Sequence, residues 1–383
     1  MSWKLLRDGV IADQGEENMP QINPQATGQI KIEMPSLSDG EYFLQVEAIQ
    51  KETKDLIPAG QVVAREEFQL GKYDFPVDIE STGEVNIQFR ENTVLISGEN
   101  FQADFDRNTG RLNNYSINNT PVFVQPVHPN FWRAPIDNDF GNGMPERQAD
   151  WKKASTNQPL ASFRVLNEDA KEMSKDGDAE LVKIKATLRL PDVGGTVDLE
   201  YLINANGEMQ VSLDLGNLQQ DLQDLPRFGS IFTLPQEFNK VRWYGRGPYE
   251  NYWDRHSASF VAEYRANVSE LYVPYIRPQE NGYKTDVRWV QLENTSGTGI
   301  RFEGTDLICF SALQNSMEDF DPGREKAQRH TTDIQPGPFV FLNLDYKQMG
   351  VGGDDSWGAR THPEYRLPPK DYHYSFIVRP LKP

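Results

Sequence analysis

The residues best suited to binding chemistry form one late stretch, MGVGGDDSW at residues 349–357. Three glycines and two adjacent carboxylates lead directly into Trp357, and the apolar run FVFLNL at 339–344 precedes them. The pattern predicts a loop that leaves a strand and ends at an indole. An indole face can pack on the C–H surface of a sugar while carboxylates accept its hydroxyl hydrogen bonds. The alternative is a tight turn in which Trp357 is a buried core residue.

Two earlier segments have a similar composition, NFWRAPIDNDFGNG at 130–143 and WYGRGPYENYWDR at 243–255. Both combine aromatic rings, glycines, arginine and Asn or Asp, which suits a polyol ligand that needs flat surfaces and bidentate hydrogen-bonding groups. The alternative is a pair of long connections that are fixed by polar pairs and buried rings. Asp137 and Asp139 could hold a cation, but two carboxylates in a loop are weak evidence for a metal site.

Composition and charge exclude several classes of protein. The 383 residues carry a formal net charge of −18, which disfavours nucleic acid and anionic membranes as partners. No apolar run reaches the length of about 18 residues that a membrane-spanning helix needs. There is no phosphate-binding GxxxxGK[ST], no GxSxG, no CxxC, and no HxxxH among the five histidines.

The N-terminal residues and the single cysteine leave the cellular compartment open. The first eight residues, MSWKLLRD, lack the apolar core of a signal peptide. They begin as if inside a domain, so we expect that Met1 and Ser2 were joined to a segment of a longer protein. Cys309 has no intramolecular partner for a disulfide and is expected to be a buried thiol. The cytoplasm and the periplasm are both compatible with these features.

Short strands separated by turns predict an all-β fold. In the first 72 residues the strand candidates Trp3–Leu6, Gln29–Met34, Glu41–Gln50 and Gln61–Leu70 fit a small immunoglobulin-like sandwich.

From about residue 86, strand patterns recur with suitable turns, and Asn206-Gly207 is the strongest hairpin pattern. These later candidates are Thr93–Ser97, Phe101–Asp106, Arg111–Ile117, Leu181–Leu190, Thr196–Ile203, Glu208–Leu215, Arg227–Leu234 and Phe260–Tyr264. One short helix is expected around Pro145–Ala154. Because long amphipathic helices do not alternate with strands, the pattern excludes a (β/α)₈ barrel and predicts a large two-sheet sandwich.

Four motifs, and the order in which they occur, resemble those of a known protein family. They are WRAP-x-DND-x-G, GxGPxEN, PYxxPxENG (residues 274–282) and MGxGGDDSW, and they span some 225 residues. Together they resemble the C-terminal end of large bacterial β-galactosidases, which are family 2 glycoside hydrolases. The first 72 residues resemble the preceding immunoglobulin-like domain of that family. The resemblance implies an immunoglobulin-like sandwich at residues 1–76 and a galactose-mutarotase-like β-supersandwich at 77–383.

The resemblance also implies which functions this chain holds and which it does not. The family hydrolyses terminal β-D-galactosides with retention, using two glutamates on a barrel that lies N-terminal to the equivalent of this chain. We therefore expect no catalytic residue here, and no metal ligand or cofactor. A magnesium ion and a monovalent cation are implied for the full-length enzyme. Glu250 and Glu280 lie in family motifs, but neither matches a catalytic position.

Substrate contacts are expected from the residues that the motifs place beside the active site. Trp357 matches a sugar-stacking tryptophan, and Gly141 begins a segment that resembles a mobile loop. The expected substrate-binding residues are Trp357, Asp139, Gly141 and Asn142. The expected partners are a β-galactoside, the catalytic barrel of the same polypeptide, and further copies in a homo-oligomer.

Two other functions compete with this interpretation. An aldose mutarotase would need an acid/base pair in the sandwich cleft, for which His128 and His330 are the loosely placed candidates. A lectin-like module would use the same acidic, aromatic loops without catalysis. On the main interpretation, the chain by itself is expected to be inactive.

Overall fold

A computed structural model describes residues 1–81, 83–325, 329–355 and 357–381. Strands make up 46% of the structure and helices 9%, so the all-β prediction is confirmed. All pairings between strands are antiparallel, in sheets of four, six and twelve strands. Among the described residues no helix is both long enough and apolar enough to cross a membrane.

The N-terminal sheet has the order β2-β1-β3-β4. Its strands are β1 (Ser2–Arg7), β2 (Val10–Glu16), β3 (Glu41–Ile49) and β4 (Val62–Gly71). Asp8 and Gly9 both have positive φ and form the two-residue turn between β1 and β2.

The strand predicted at Gln29–Met34 is wrong. That segment has no regular secondary structure. Its Ile32 packs against the sheet, but its backbone pairs with no strand in the part of the chain described. Alternating apolar residues alone do not make a strand where no neighbouring strand supplies hydrogen bonds. The described residues of this region form one sheet, and the division of the chain at residue 76 remains a prediction.

The six-stranded sheet has the order β12-β5-β6-β7-β8-β9. Its strands are β5 (Val85–Phe89), β6 (Thr93–Ser97), β7 (Phe101–Asp106), β8 (Leu112–Ile117), β9 (Thr120–Phe123) and β12 (Gly177–Ala179). Asn118 and Asn119, both at positive φ, close the hairpin between β8 and β9.

The twelve-stranded sheet contains the path β10-β16-β21-β20-β22-β15-β14-β13-β11, with β19 joined to β20, β17 to β19, and β18 to β17. Its strands are β10 (His128–Asn130), β11 (Leu160–Leu166), β13 (Val182–Leu190), β14 (Gly195–Ile203), β15 (Met209–Gly216), β16 (Arg227–Pro235), β17 (Lys240–Gly247), β18 (Phe260–Asn267), β19 (Lys284–Glu293), β20 (Gly299–Leu313), β21 (Phe339–Gln348) and β22 (Tyr372–Leu381). Gly207 has a φ of 80° in the turn between β14 and β15, which confirms the Asn206-Gly207 hairpin.

Aromatic side chains join the two larger sheets into one core. The ring centroids of Phe105 in β7 and Tyr201 in β14 are 5.1 Å apart, and the rings meet edge to face. The ring centroids of Phe123 in β9 and Phe232 in β16 are 5.0 Å apart. Buried and less buried residues alternate along β13 and β14, as expected for strands with one face in the core.

The helices are short and lie in connections between strands. They are α1 (Asp137–Gly141), α2 (Met144–Arg147), α3 (Ala149–Thr156), α4 (Val268–Leu271) and α5 (Met317–Phe320). The single helix predicted around Pro145–Ala154 corresponds to α2 and α3. The first three helices follow β10 directly, so they stand at one edge of the twelve-stranded sheet, where the three motif segments also meet.

Candidate functional site

Residues 349–361, here called the tryptophan loop, leave the end of β21 and are fixed at both ends. Gly350 N–H donates to the carbonyl of Tyr365 at 2.8 Å, and Thr361 Oγ1 donates back to the carbonyl of Gly350 at 3.1 Å. Gly352 N–H donates to Asp254 Oδ2 at 2.7 Å, which connects this loop to the 243–255 segment. The described part of the loop is therefore a tethered structure rather than a loose connection.

Trp357 projects from the tryptophan loop with 93% of its surface exposed. Asp355 Oδ1 accepts the backbone N–H of Trp357 at 2.8 Å and that of Ala359 at 3.2 Å. These two donors hold the pKa of Asp355 below its usual value, so that it stays ionised and keeps the turn closed. The geometry fixes the backbone beneath the indole and leaves the ring free to meet a partner.

His362 adds an electrostatic contact next to the same loop. Its Nε2 lies 2.9 Å from Asp354 Oδ1. This hydrogen bond and the charge of Asp354 raise the pKa of His362, which is exposed.

Helix α1 stands against the tryptophan loop and is held by a buried ion pair. Asp139 is 2% exposed, and Arg133 Nη1 donates to its Oδ2 at 2.5 Å. The same oxygen accepts the N–H of Ile136 at 2.8 Å, which satisfies one backbone donor at the start of α1. Arg133 Nη2 also reaches the carbonyl of Gly350 at 3.5 Å.

Gly141 and the tryptophan loop are neighbours. A Cβ atom built on Gly358 would lie 3.8 Å from the carbonyl oxygen of Gly141. Asn138 Nδ2 donates to the carbonyl of Val351 at 3.3 Å, which makes a second connection. Sequence segments separated by about 210 residues are thus brought together at one edge of the molecule.

A small pocket of about 170 Å³ lies between α1 and the segments that contain Tyr252 and Val351. Glu280 also lines this pocket, and its side chain is only 7% exposed. Arg227 Nη2 donates to Glu280 Oε1 at 2.8 Å, and burial raises the pKa of Glu280.

Behind Glu280, the ion pairs continue into the core. Arg227 is fully buried, and its Nε lies 3.1 Å from Asp345 Oδ2, at an angle too oblique for a hydrogen bond. Burial raises the pKa of Asp345 to about 7. Asp345 occupies the space beside Gly229, where a Cβ atom would lie 1.8 Å from Asp345 Oδ1. Only glycine therefore leaves room for this carboxylate.

Comparison with known proteins assigns the chain to a family. Residues 97–378 match the family described as "Beta galactosidase small chain". The chain belongs to the β-galactosidase small chain family. Residues 1–71 match the family described as "Beta-galactosidase, domain 4", so both family matches agree with the resemblance found in the sequence.

Curated relatives of this small-chain protein are much longer than it is. It is 31% identical over 385 residues to the β-galactosidase of Priestia megaterium, 28% over 395 residues to that of Pseudoalteromonas haloplanktis, and 31% over 373 residues to that of Vibrio cholerae. These alignments cover 95–99% of this chain but only 35–36% of each relative. The chain therefore spans about a third of the length of the curated relatives it matches.

Within this β-galactosidase small chain, the predicted site residues occupy different positions. Trp357 is exposed, which excludes the alternative of a buried core residue, and Gly141 lies near its loop. Asp139 is buried, and a sugar hydroxyl would have to displace Arg133 or the N–H of Ile136 to reach it. Asn142 Oδ1 accepts from Arg147 Nη2 at 3.1 Å. Their roles in sugar binding remain predictions.

Sequence analysis missed the polar cluster of Arg227, Glu280 and Asp345. Glu280 lies in the PYxxPxENG motif, but no local pattern indicates that it pairs with an arginine 53 residues away. Asp345 follows the apolar run of β21, and its place opposite Gly229 depends on strand register. Among the described residues, no group of three or more His, Cys, Asp or Glu is arranged to hold a metal ion.

Proposed function

We propose that this chain is the C-terminal part of a retaining β-galactosidase and forms one wall of its active site. The observation that carries the proposal is Trp357, whose indole is exposed on a loop that is tethered on both sides. An exposed, pre-positioned aromatic ring suits stacking on the apolar face of a galactoside. The curated relatives that align with nearly the whole chain are β-galactosidases.

Exposed apolar side chains support an assembly surface at the same edge. Among the described residues beyond Val77, the large apolar side chains that are exposed are Tyr249 (69%), Ile276 (87%) and Trp357 (93%). All three belong to the motif segments that border the small pocket. Large apolar side chains that are exposed in neighbouring segments are consistent with an interaction surface. The proposed partner is the catalytic barrel that the longer relatives have room to contain.

Four acidic side chains at this edge are engaged in ion pairs with arginine. Arg133 pairs with Asp139, Arg227 with Glu280, Arg255 with Glu250, and Arg277 with Asp137, at 2.5–2.9 Å. Retaining hydrolysis needs one carboxylic acid and one free carboxylate nucleophile roughly 5–5.5 Å apart. The proposal therefore assigns both catalytic carboxylates to the barrel, together with the magnesium and monovalent-cation sites that the resemblance implies.

The mutarotase alternative receives no support from its two histidine candidates. His128 Nδ1 lies 3.2 Å from the carbonyl of Pro126, and His330 lies beside Asp333 at 3.9 Å. Neither contacts a glutamate in these hydrogen bonds and ion pairs, whereas an acid/base pair would have to reach the same sugar.

A chimera tests the proposal. The part of the Priestia megaterium β-galactosidase that aligns with this chain is replaced by the chain, and hydrolysis of an aryl β-galactoside is measured. We expect the chimera to be active, the chain alone to be inactive, and Trp357→Ala to lower kcat/KM of the chimera roughly 5- to 140-fold, the equivalent of about 1–3 kcal/mol of stacking. Phe68→Ala, at an aromatic residue that is 48% exposed on the N-terminal sheet, is the matched control. Turnover by the purified chain alone, or an unchanged kcat/KM in Trp357→Ala, would contradict the proposal.

A further inference from the structure

The small pocket beside α1 has a size that suits one ring. Its volume is about 170 Å³. An engineered protein cavity of about 150 Å³ binds benzene, so the pocket has room for a single six-membered ring and little more. Ordinary ligand sites for larger molecules start at about 300 Å³.

The walls of the pocket combine apolar and polar side chains. Tyr252 is 2% exposed and stacks on Tyr283, with ring centroids 5.6 Å apart and planes 15° apart. Ile136 and Val351, both at least nine-tenths buried, complete the apolar part of the lining. A ring that enters the pocket therefore meets preformed surfaces, which lowers the entropy cost of binding.

One carboxylate oxygen in the lining accepts no hydrogen bond from the described residues. Glu280 Oε1 accepts from Arg227 Nη2, and no described residue donates to Glu280 Oε2. A carboxylate oxygen can accept a hydrogen bond from a ligand hydroxyl. Gln279 also lines the pocket, but its amide is already bonded to Asp137 and to the carbonyl of Arg277. Glu280 Oε2 is therefore the acceptor that we assign to a ligand hydroxyl.

The charges around the pocket are balanced. Glu280 pairs with Arg227, Glu250 with Arg255 at 2.7 Å, and Asp137 with Arg277 at 2.9 Å. An ionic ligand would therefore meet no uncompensated charge of opposite sign to offset its desolvation. An uncharged ligand avoids that cost.

We infer that the pocket lined by Tyr252, Val351 and Glu280 is a binding site for one uncharged sugar ring, separate from the exposed face of Trp357. The inference extends the proposed function, because it gives the chain a second sugar contact beside the stacking platform. Hydroxyl groups would donate to Glu280 Oε2, and the C–H face would pack against Tyr252, Ile136 and Val351. A side chain from another part of a longer protein is the competing occupant.

Titration of the chain with methyl β-D-galactopyranoside and with D-glucose, followed by saturation-transfer NMR and calorimetry, tests this site. We expect a Kd on the order of 1 mM for at least one of these sugars. Trp357→Ala removes the stacking platform, so the sugar binding that persists in this variant is assigned to the pocket. Val351→Phe, which fills the pocket, and Glu280→Gln, which removes the acceptor charge, should each weaken it at least about tenfold. Ile276→Ala, at an exposed apolar residue in the neighbouring segment, is the matched control.

The outcomes separate the pocket from the stacking platform. If Trp357→Ala abolishes sugar binding while Val351→Phe preserves it, the pocket inference is overturned and the proposed function stands. If wild type binds neither sugar at concentrations well above the expected Kd, the pocket is better explained as a socket for a protein side chain, and the inference is also overturned. Because Glu280→Gln could disturb Arg227, the melting temperature of the Glu280→Gln variant is measured. If this variant is unfolded, the result with Val351→Phe alone is used to judge the pocket.

Discussion

Asp254 Oδ2 accepts the N–H of Gly352 at 2.7 Å and lies so close to Gly350 that a Cβ atom there would approach it to 2.3 Å. One carboxylate from the 243–255 segment thus bonds to Gly352 of the tryptophan loop and leaves no room for a side chain at Gly350. Its other oxygen, Oδ1, is buried and has no hydrogen-bond partner among the residues that the structure describes. The aromatic platform and the segment that contains Asp254 are therefore one structural unit.

Loss of the Asp254 carboxylate should loosen the tryptophan loop without unfolding the chain. A hydrogen bond to a charged group contributes about 1.5–3 kcal/mol, so Asp254→Ala should speed amide exchange at Gly352 roughly tenfold to hundredfold. Asp254→Asn keeps an oxygen acceptor and should stay close to wild type. Hydrogen-exchange mass spectrometry over residues 350–361 measures both variants. Equal protection in wild type and Asp254→Ala would show that Asp254 does not hold the loop.

Replacement of Trp357 by alanine should hardly change the stability of the chain. The side chain is 93% exposed, and surface substitutions usually change the free energy of unfolding by less than about 0.5 kcal/mol. Trp151 of α3 is 1% exposed, so Trp151→Ala should cost about 3–5 kcal/mol and serves as the buried comparison. Chemical denaturation of both variants gives the values. If Trp357→Ala lowers the free energy of unfolding as much as Trp151→Ala does, Trp357 is a core residue.

The strands were predictable where turn chemistry and alternation agree. Thr93–Ser97 and Phe101–Asp106 have the predicted bounds, because polar turn residues end each alternating run. Gln29–Met34 alternates similarly but has no described strand beside it. Strand pairing depends on residues distant in sequence, which a local pattern does not contain.

The site was predictable only in part. The glycine-rich approach to Trp357 indicated a loop, and the resemblance indicated that the indole would be exposed. The helix predicted around Pro145–Ala154 is present as α2 and α3, whereas α1 at Asp137–Gly141 was not predicted. The pairing of Arg227 with Glu280 and Asp345 follows from the register of β16 and β21, so sequence alone could not place it.

Protection within residues 141–148 should be uneven. Gly141 and Gly143 are exposed, and we expect their amides to exchange rapidly. The N–H groups of Arg147 and Gln148 donate to Gly143 and Met144 at 3.0 and 2.9 Å, and Met144 is fully buried. Exchange should therefore be slower at Arg147 and Gln148. Slow exchange across the whole segment, measured by NMR, would contradict the prediction that its first part is mobile.

The contact between the N-terminal sheet and the twelve-stranded sheet should depend on Glu41 and Arg288. Glu41 is 1% exposed and accepts from Arg288 Nε at 2.8 Å, and it also accepts from Tyr244 Oη. Arg288→Met leaves a buried carboxylate without its cation, which should cost about 3–5 kcal/mol of unfolding free energy.

An exposed ion pair provides the control for that measurement. Lys31 and Glu33 are each 83% exposed, so Lys31→Met should change the unfolding free energy by no more than about 1 kcal/mol. Urea denaturation followed by circular dichroism compares the two variants. Similar small effects for both would mean that packing of the sheets, rather than the ion pair, holds this contact.

Asp345 should make the free energy of unfolding fall as the pH rises, whereas a carboxylate in a normal salt bridge makes it increase. Burial raises its pKa from 3.8 to about 7, against the opposing effect of Arg227 and with a further increase from Glu280. Tyr283 and Cys309 lie in the same cluster. The folded chain therefore keeps a proton on Asp345 at pH values where the unfolded chain has lost it. The resulting stabilisation is complete below about pH 4 and is lost as the pH rises through about 7.

The stability of wild type relative to Asp345→Asn should accordingly fall between pH 5 and pH 8. Asparagine resembles the protonated acid and does not titrate, so the two proteins should be most similar at the acidic end. Urea denaturation at several pH values in this range measures the difference. Asp169→Asn is the control, because Lys171 lowers the pKa of the exposed Asp169 and its titration is complete below this range. A difference between wild type and Asp345→Asn that is flat or rises with pH would show that Asp345 is ionised at pH 5 and that Arg227 outweighs its desolvation.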